Sequence, residues 1–178
     1  WNGQRGSYDS SLRALDDSLA RLGLAYVDLY LIHWPEPAEF RPRWPQLNAD
    51  SWRAMEQAYA QGKARAIGVS NFRPDHLDEL LKTARIKPMV NQIFLNPVDQ
   101  EREVVAYDEA HGIVPEAYSP LGTGELLANP VVAALAAAHH KPGAQILIRL
   151  GLEKGYVPLP TSVHRAYIPS NDAAFALA

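Results

Sequence analysis

Apolar runs of strand length alternate with helix-period stretches along this 178-residue chain, and that alternation limits the fold more than any single residue does. Strand signals run from Val27 to His33, Ala64 to Ser70, Val90 to Leu95, Ile113 to Tyr118 and Tyr156 to Leu159, the last weakened by Pro158. The first helix is predicted from Tyr8 to Leu22, with Leu12, Leu15, Leu19 and Leu22 on one stripe, Ser7 or Asp9 as cap and Gly23 as stop. Asp50 caps a second helix through Gln61, with Trp52, Met55 and Tyr59 inward. Further helices are predicted over Pro74–Ala84, Gln100–His111, onward from Asn129 and Pro130, over Ala144–Lys154, and from Ser170. Gly151 inside the Ala144–Lys154 stretch costs about 1 kcal/mol relative to alanine. Strands separated by helices lie parallel, so the fold class is α/β.

Within this pattern, Val27 to Pro35 (Val-Asp-Leu-Tyr-Leu-Ile-His-Trp-Pro) reads as a strand buried on most of its surface. Pro35 has no N–H to extend a ladder. His33 thus stands at the carboxyl end of a buried strand, where α/β sheets place their chemistry; the plain alternative is a core histidine bonded to a backbone carbonyl. The stretch from Glu36 to Leu47, with Pro37, Pro42, Pro45, Phe40 and Trp44, reads as a long irregular loop. No Gly-x-Gly-x-x-Gly follows any strand and there is no Walker-type loop, which counts against a doubly wound dinucleotide fold. Polar residues recur instead at strand ends: His33 and Trp34, Ser70 and Asn71, Gln92, Tyr118 and Ser119, Thr161 and Ser162. That is the pattern of a (β/α)8 barrel, although five strands cannot close one.

Composition excludes several function classes. A formal charge of −3 gives no electrostatic case for nucleic acid or anionic membrane. With no cysteine there is no disulfide, thiolate chemistry or zinc ribbon, which suits a reducing compartment, and no metal site is expected. No apolar run approaches the roughly 20 residues that cross a bilayer. The polar opening Trp1 to Ser7 is unlike a signal peptide, so a cytoplasmic location is expected. The chain also lacks an initiating methionine and reads as a fragment, a single domain over residues 1–178.

Four motifs, in order and suitably spaced, resemble the aldo-keto reductases: Asp28-Leu-Tyr-Leu-Ile-His-Trp-Pro35, Ile67-Gly-Val-Ser-Asn-Phe72, Val90-Asn-Gln-Ile93 and Glu116-Ala-Tyr-Ser-Pro-Leu-Gly122. The branch with most similarity is the bacterial one that includes the 2,5-diketogluconate reductases. The resemblance implies a (β/α)8 barrel of which this chain covers about five strands. It also implies an oxidoreductase that reduces an aldehyde or ketone with NADP(H), or with NAD(H). In that family a tyrosine acts as acid, assisted by lysine, aspartate and histidine. His33 matches the histidine, with the role of bonding the carbonyl oxygen. Ser70, Asn71 and Gln92 match residues that hold the nicotinamide carboxamide, and Tyr118 the aromatic that stacks on its ring. Ser119, Leu121 and Gly122 match the loop over the pyrophosphate, Ser162 and Asn171 match further cofactor-binding positions, and Trp34 matches a wall of the substrate pocket.

The sequence departs from the family in places. Its aspartate, tyrosine and lysine precede the segment matched here, so this polypeptide alone is expected to lack useful reductase activity. Thr161 and Tyr167 stand where the family usually has the lysine and arginine that pair with the 2′-phosphate of NADP. Phe94 and Asn96 replace a glutamate and a histidine, and Leu150-Gly151 a tryptophan-histidine pair. Two other readings stand beside the enzyme: a noncatalytic nucleotide-binding or regulatory relative, and a partial barrel acting through self-association. The expected partner is a small carbonyl compound, with the parent protein a monomer.

Overall fold

The structure, a computed structural model, describes residues 7–176; the opening Trp1 to Gly6, whose polarity argued against a signal peptide, lies outside that range. The chain divides into two compact units, residues 1–91 with 107–113 and residues 92–106 with 114–178. Its elements run α1 (Tyr8–Leu22), β1 (Val27–Ile32), a 3₁₀ segment (Ala38–Arg43), α2 (Trp44–Ala60), β2 (Ala64–Ser70), α3 (Pro74–Leu81), β3 (Val90–Phe94), α4 (Arg102–Ala110) and β4 (Val114–Tyr118). They continue as a 3₁₀ segment (Gly122–Ala128), α5 (Pro130–His139), α6 (Gly143–Glu153), β5 (Val157–Leu159), α7 (Tyr167–Asp172) and a last 3₁₀ turn (Ala173–Ala176). Strand order follows chain order.

In the first unit, β1 and β2 pair in parallel from Val27 opposite Ala64 to Ile32 opposite Val69. Helix α1 starts where Ser7 accepts the backbone N–H of Ser10 and ends at Gly23, whose φ of 66° is the left-handed stop that favours glycine. The core gathers Ile32, Trp52, Met55, Ile67, Val69, Phe72, Leu77, Leu80 and Ile113. Trp52 is buried to 1% exposure, and its indole N–H donates to the carbonyl of Ile86 at 2.9 Å. Gly68 lies where backbone approaches backbone. A Cβ there would come within 2.5 Å of the Val90 carbonyl oxygen and 2.9 Å of a Leu31 methyl, so the motif Ile67-Gly-Val-Ser-Asn-Phe72 needs glycine for space.

Several expectations for this unit are corrected. Helix α2 begins at Trp44 rather than beside Asp50, and the preceding residues wind as 3₁₀ turns rather than an irregular loop. Pro45 sits in the first helical turn, where its missing N–H costs nothing because that donor has no intrahelical partner. Helix α3 ends at Leu81, three residues short of the predicted Ala84. Strand β1, by contrast, is buried on most of its surface as expected. Within it Ile32 is fully buried, Val27, Leu29, Tyr30 and Leu31 are largely covered, with Val27 and Tyr30 packed on Leu15, Leu19 and Ala58, and Asp28 is exposed. Leu22 and Tyr59, both expected inward, are 60% and 37% exposed.

In the second unit, β4 and β5 pair in parallel, with Glu116 opposite Val157 and Tyr118 opposite Leu159, so Pro158 does not prevent a strand. Ile93, Leu95, Val104, Val105 and Ala117 form one apolar cluster, with Tyr156 packed against it. Asn129 caps α5 by accepting the Val131 N–H, and Pro130 takes the first helical position. A last helix starts at Tyr167, before the predicted Ser170. Gly151 stands in the interior of α6, and a Cβ added to it would meet only Pro158, at 3.6 Å, an ordinary contact. Gly151→Ala is therefore expected to raise stability by about 0.5–1 kcal/mol through the helical preference of alanine. A urea midpoint that falls instead of rising would show that Pro158 leaves no room.

Candidate active site

In the first unit, the candidate residues lie where β1 and β2 end. His33 follows Ile32 directly, is exposed, and sets its ring 6.0 Å from that of Trp34, tilted by 55°. Partial desolvation lowers its pKa from the ordinary imidazole value, so the ring is neutral at neutral pH and carries one N–H donor. Ser70, the last residue of β2, is buried to 2% exposure. Asn71 then turns the chain with a φ of 61°, a left-handed conformation that asparagine tolerates better than most residues. Its amide donates to the His33 carbonyl at 2.9 Å and to the Ser70 hydroxyl at 3.1 Å. One side chain thus ties the two strand ends together and fixes the backbone that carries His33.

A second support went unnoticed in the sequence. His76, in the first turn of α3, accepts the Arg73 N–H on Nδ1 at 3.1 Å and lies 3.2 Å from Glu36 through Nε2. With Nδ1 accepting, Nε2 carries the proton and donates to the carboxylate. The ring is nearly buried and meets Trp44 edge-on at 5.1 Å. The chain just beyond Trp34 and Pro35 is thereby pinned to α3. Asn91, fully buried, donates to the Phe72 carbonyl at 3.0 Å and to the Asp108 carboxyl at 3.0 and 3.3 Å, holding the turn after Asn71 from the other side.

In the second unit, the Gln92 amide donates to Glu116 at 2.6 Å, and Glu116 is 8% exposed. Phe94 meets Tyr118 edge-to-face at 5.5 Å. Burial, and after it the charge of Glu101, raise the Tyr118 pKa, so the phenol stays protonated. Beyond β4 the backbone winds through left-handed positions at Ser119, Gly122, Thr123 and Gly124, with Gly122 N–H donating to Ser119 and Gly124 N–H to Leu121. Leu121 packs against Ile148 and Ala174. Asn96, where a histidine is usual in the family, caps its own turn by accepting the N–H groups of Val98 and Asp99, both at 2.9 Å. A cavity of about 440 Å³ opens among Ile148, Pro158, Pro160, Thr161, Ser162, Ile168, Asn171 and Asp172, with apolar walls and a hydroxyl, amide and carboxyl lining. That size and balance suit one end of a nucleotide. The Ser162 hydroxyl accepts the His164 N–H at 3.0 Å, forming a local turn.

Among the described residues, no group of three or more histidines, aspartates or glutamates could hold a metal ion. No described helix is long and apolar enough to cross a membrane.

Comparison with known proteins identifies the family. The model of the aldo/keto reductase family matches residues 1–177. Glyoxal reductase of Bacillus subtilis is 45% identical over 98% of this chain and 60% of its own length. An aldo/keto reductase of Brucella melitensis superposes with a TM-score of 0.90 at 40% identity, covering 98% of this chain and 65% of that one. A Bombyx mori aldo-keto reductase, solved in complex with NADP, superposes with a TM-score of 0.85 at 34% identity, over 98% and 60% of the two chains. The fold is therefore the α/β fold of (β/α)8 barrels, of which these residues supply five parallel strands. The chain belongs to the aldo/keto reductase family. It spans about 60% of the length of the curated relatives it matches.

Proposed function

We propose that this chain belongs to an NAD(P)H-dependent oxidoreductase that reduces small aldehydes or ketones to alcohols, with His33 as the residue that contacts the carbonyl oxygen. The observation that carries this is the exposed imidazole at the carboxyl end of β1, its backbone held by Asn71. A neutral ring donates one N–H to the carbonyl oxygen, orienting the substrate and favouring the charge that gathers on oxygen as the carbonyl carbon is reduced. Trp34 beside it forms an apolar wall. When bound, the nicotinamide supplies the hydride.

The chain's other residues have binding roles in this reading. Ser70 and Asn71 present hydroxyl and amide groups of the kind that bind a carboxamide, and Gln92, in the second unit, presents an amide of its own. Glu116 fixes the Gln92 amide by accepting its N–H. The protonated Tyr118 gives a ring for stacking. Ser119, Leu121 and Gly122 would hold the pyrophosphate, and Ser162 and Asn171 the adenosine end. The 440 Å³ cavity supports the last assignment.

Glyoxal, named for the Bacillus subtilis relative, is the first substrate to test, with NADPH, in the full-length polypeptide. His33→Ala is expected to lower turnover by about 10²–10³-fold, as loss of one donor to a developing oxyanion does, while NADPH affinity, read by fluorescence titration, hardly changes. Unchanged turnover with a large loss of nucleotide affinity would assign His33 a structural role.

A further inference from the structure

We infer that Asp172 makes the adenosine end of this site read a ribose 2′-hydroxyl, so that NADH is accepted about as well as NADPH. The inference rests on the reading above that Ser162 and Asn171 belong to a nicotinamide nucleotide site. Among the described residues, the polar groups lining the cavity are Thr161, Ser162, Asn171 and Asp172, and no described lysine or arginine lines it. In the adjoining segment, Arg165 is exposed and His164 is tilted against Tyr167 with ring centroids 5.0 Å apart, and neither lines the cavity. Tyr167 itself is 57% exposed and its N–H donates to the His164 carbonyl at 2.9 Å.

A 2′-phosphate brings close to two negative charges, and in this cavity it would meet a carboxylate of the same sign. A ribose hydroxyl meets the same carboxylate as a donor meeting an acceptor. An acidic side chain on the 2′-hydroxyl is the general device by which dinucleotide sites select the unphosphorylated ribose. Asp172 is also held in place. From α6, Gln145 donates to the Ser170 carbonyl at 2.8 Å and to its hydroxyl at 3.2 Å, and Ala174 is buried against Ile148. Ser170 and Ala174, two residues before and two after Asp172, are thereby fixed to α6.

The test is the ratio of dissociation constants for NADPH and NADH in the full-length polypeptide at low salt, before and after Asp172→Asn. The ratio is expected within about tenfold of unity. Asp172→Asn is expected to tighten NADPH by about tenfold, the size of one charge-assisted contact, and to weaken NADH. A preference for NADPH beyond about tenfold in the unmutated protein overturns the inference. So does an Asp172→Asn variant that leaves both constants unchanged, since Asp172 then does not face the ribose. Failure of either nucleotide to bind overturns the nucleotide-site reading itself, a result distinct from tight binding with NADPH preferred.

Discussion

Trp52→Ala is expected to cost about 4–5 kcal/mol, a large part of the roughly 5–15 kcal/mol that holds a domain folded. Trp52 sits on α2 at 1% exposure, within a core that includes Ile32 of β1, Ile67 and Val69 of β2, Phe72, Leu77 and Leu80. Truncation removes the largest fully buried side chain of the first unit and leaves a cavity that rigid strands cannot refill. It also strands the Ile86 carbonyl, which now accepts the indole N–H at 2.9 Å. An orphaned buried acceptor adds about 1–3 kcal/mol to the transfer and cavity costs where water cannot reach it. Trp52→Phe separates the two contributions, because it keeps much of the volume and loses the donor. Urea unfolding measures both variants. A Trp52→Ala loss below about 2 kcal/mol with an unchanged denaturant slope would mean that α2 does not close this core.

What could be read from the sequence follows the range of the interactions involved. Helix α1 was legible from Ser7 to Gly23 because its cap, its stop and its stripe act within a few residues. The strand ends at His33 and at Ser70 were legible because alternation and a proline mark them, and family resemblance carried Gln92 and Tyr118. Helix α2 misled because Pro37, Pro42 and Pro45 look like loop residues and Asp50 looks like a cap. Pro45 is harmless in a first turn, and Asp50 lies inside the helix, paired with Arg53 on the surface. The pair Glu36 and His76 escaped notice because forty residues separate them, and nothing in Arg-Pro-Asp-His signals that the ring turns inward. Glu116 was read only as part of a motif, and its bond to Gln92 exists because parallel strands bring the two residues together. Gly151 stood out in the sequence as a cost in a helix, and the space beside Pro158 shows that the cost is avoidable.

Asp108 is the least legible of these residues, and it should govern how stability depends on pH. In Tyr107-Asp-Glu-Ala-His111 it looks like one more charge on a solvated helix face, yet it is fully buried with Asn91 as its partner. Burial pushes its carboxyl up from 3.8 to about 7, helped by the charge of Glu109 and opposed by the Asn91 N–H and the nearby His111. The folded state therefore holds a proton that the unfolded chain has released by about pH 4. Where the folded pKa is the higher one, stability is greatest below the unfolded value and falls as pH rises toward the folded value. The loss is confined to about pH 4–7 and reaches at most roughly 4 kcal/mol, at about 1.4 kcal/mol for each unit of separation. Asparagine at this position cannot ionise and keeps an acceptor for the Asn91 N–H. Asp108→Asn is thus expected to change stability little near pH 4 and to raise it above the parent by a few kcal/mol at pH 8. Urea unfolding of both proteins at pH 5 and pH 8 tests this. An advantage for the variant that does not grow with pH would show that Asp108 is already ionised in the folded protein at pH 5, with its charge compensated by its neighbours.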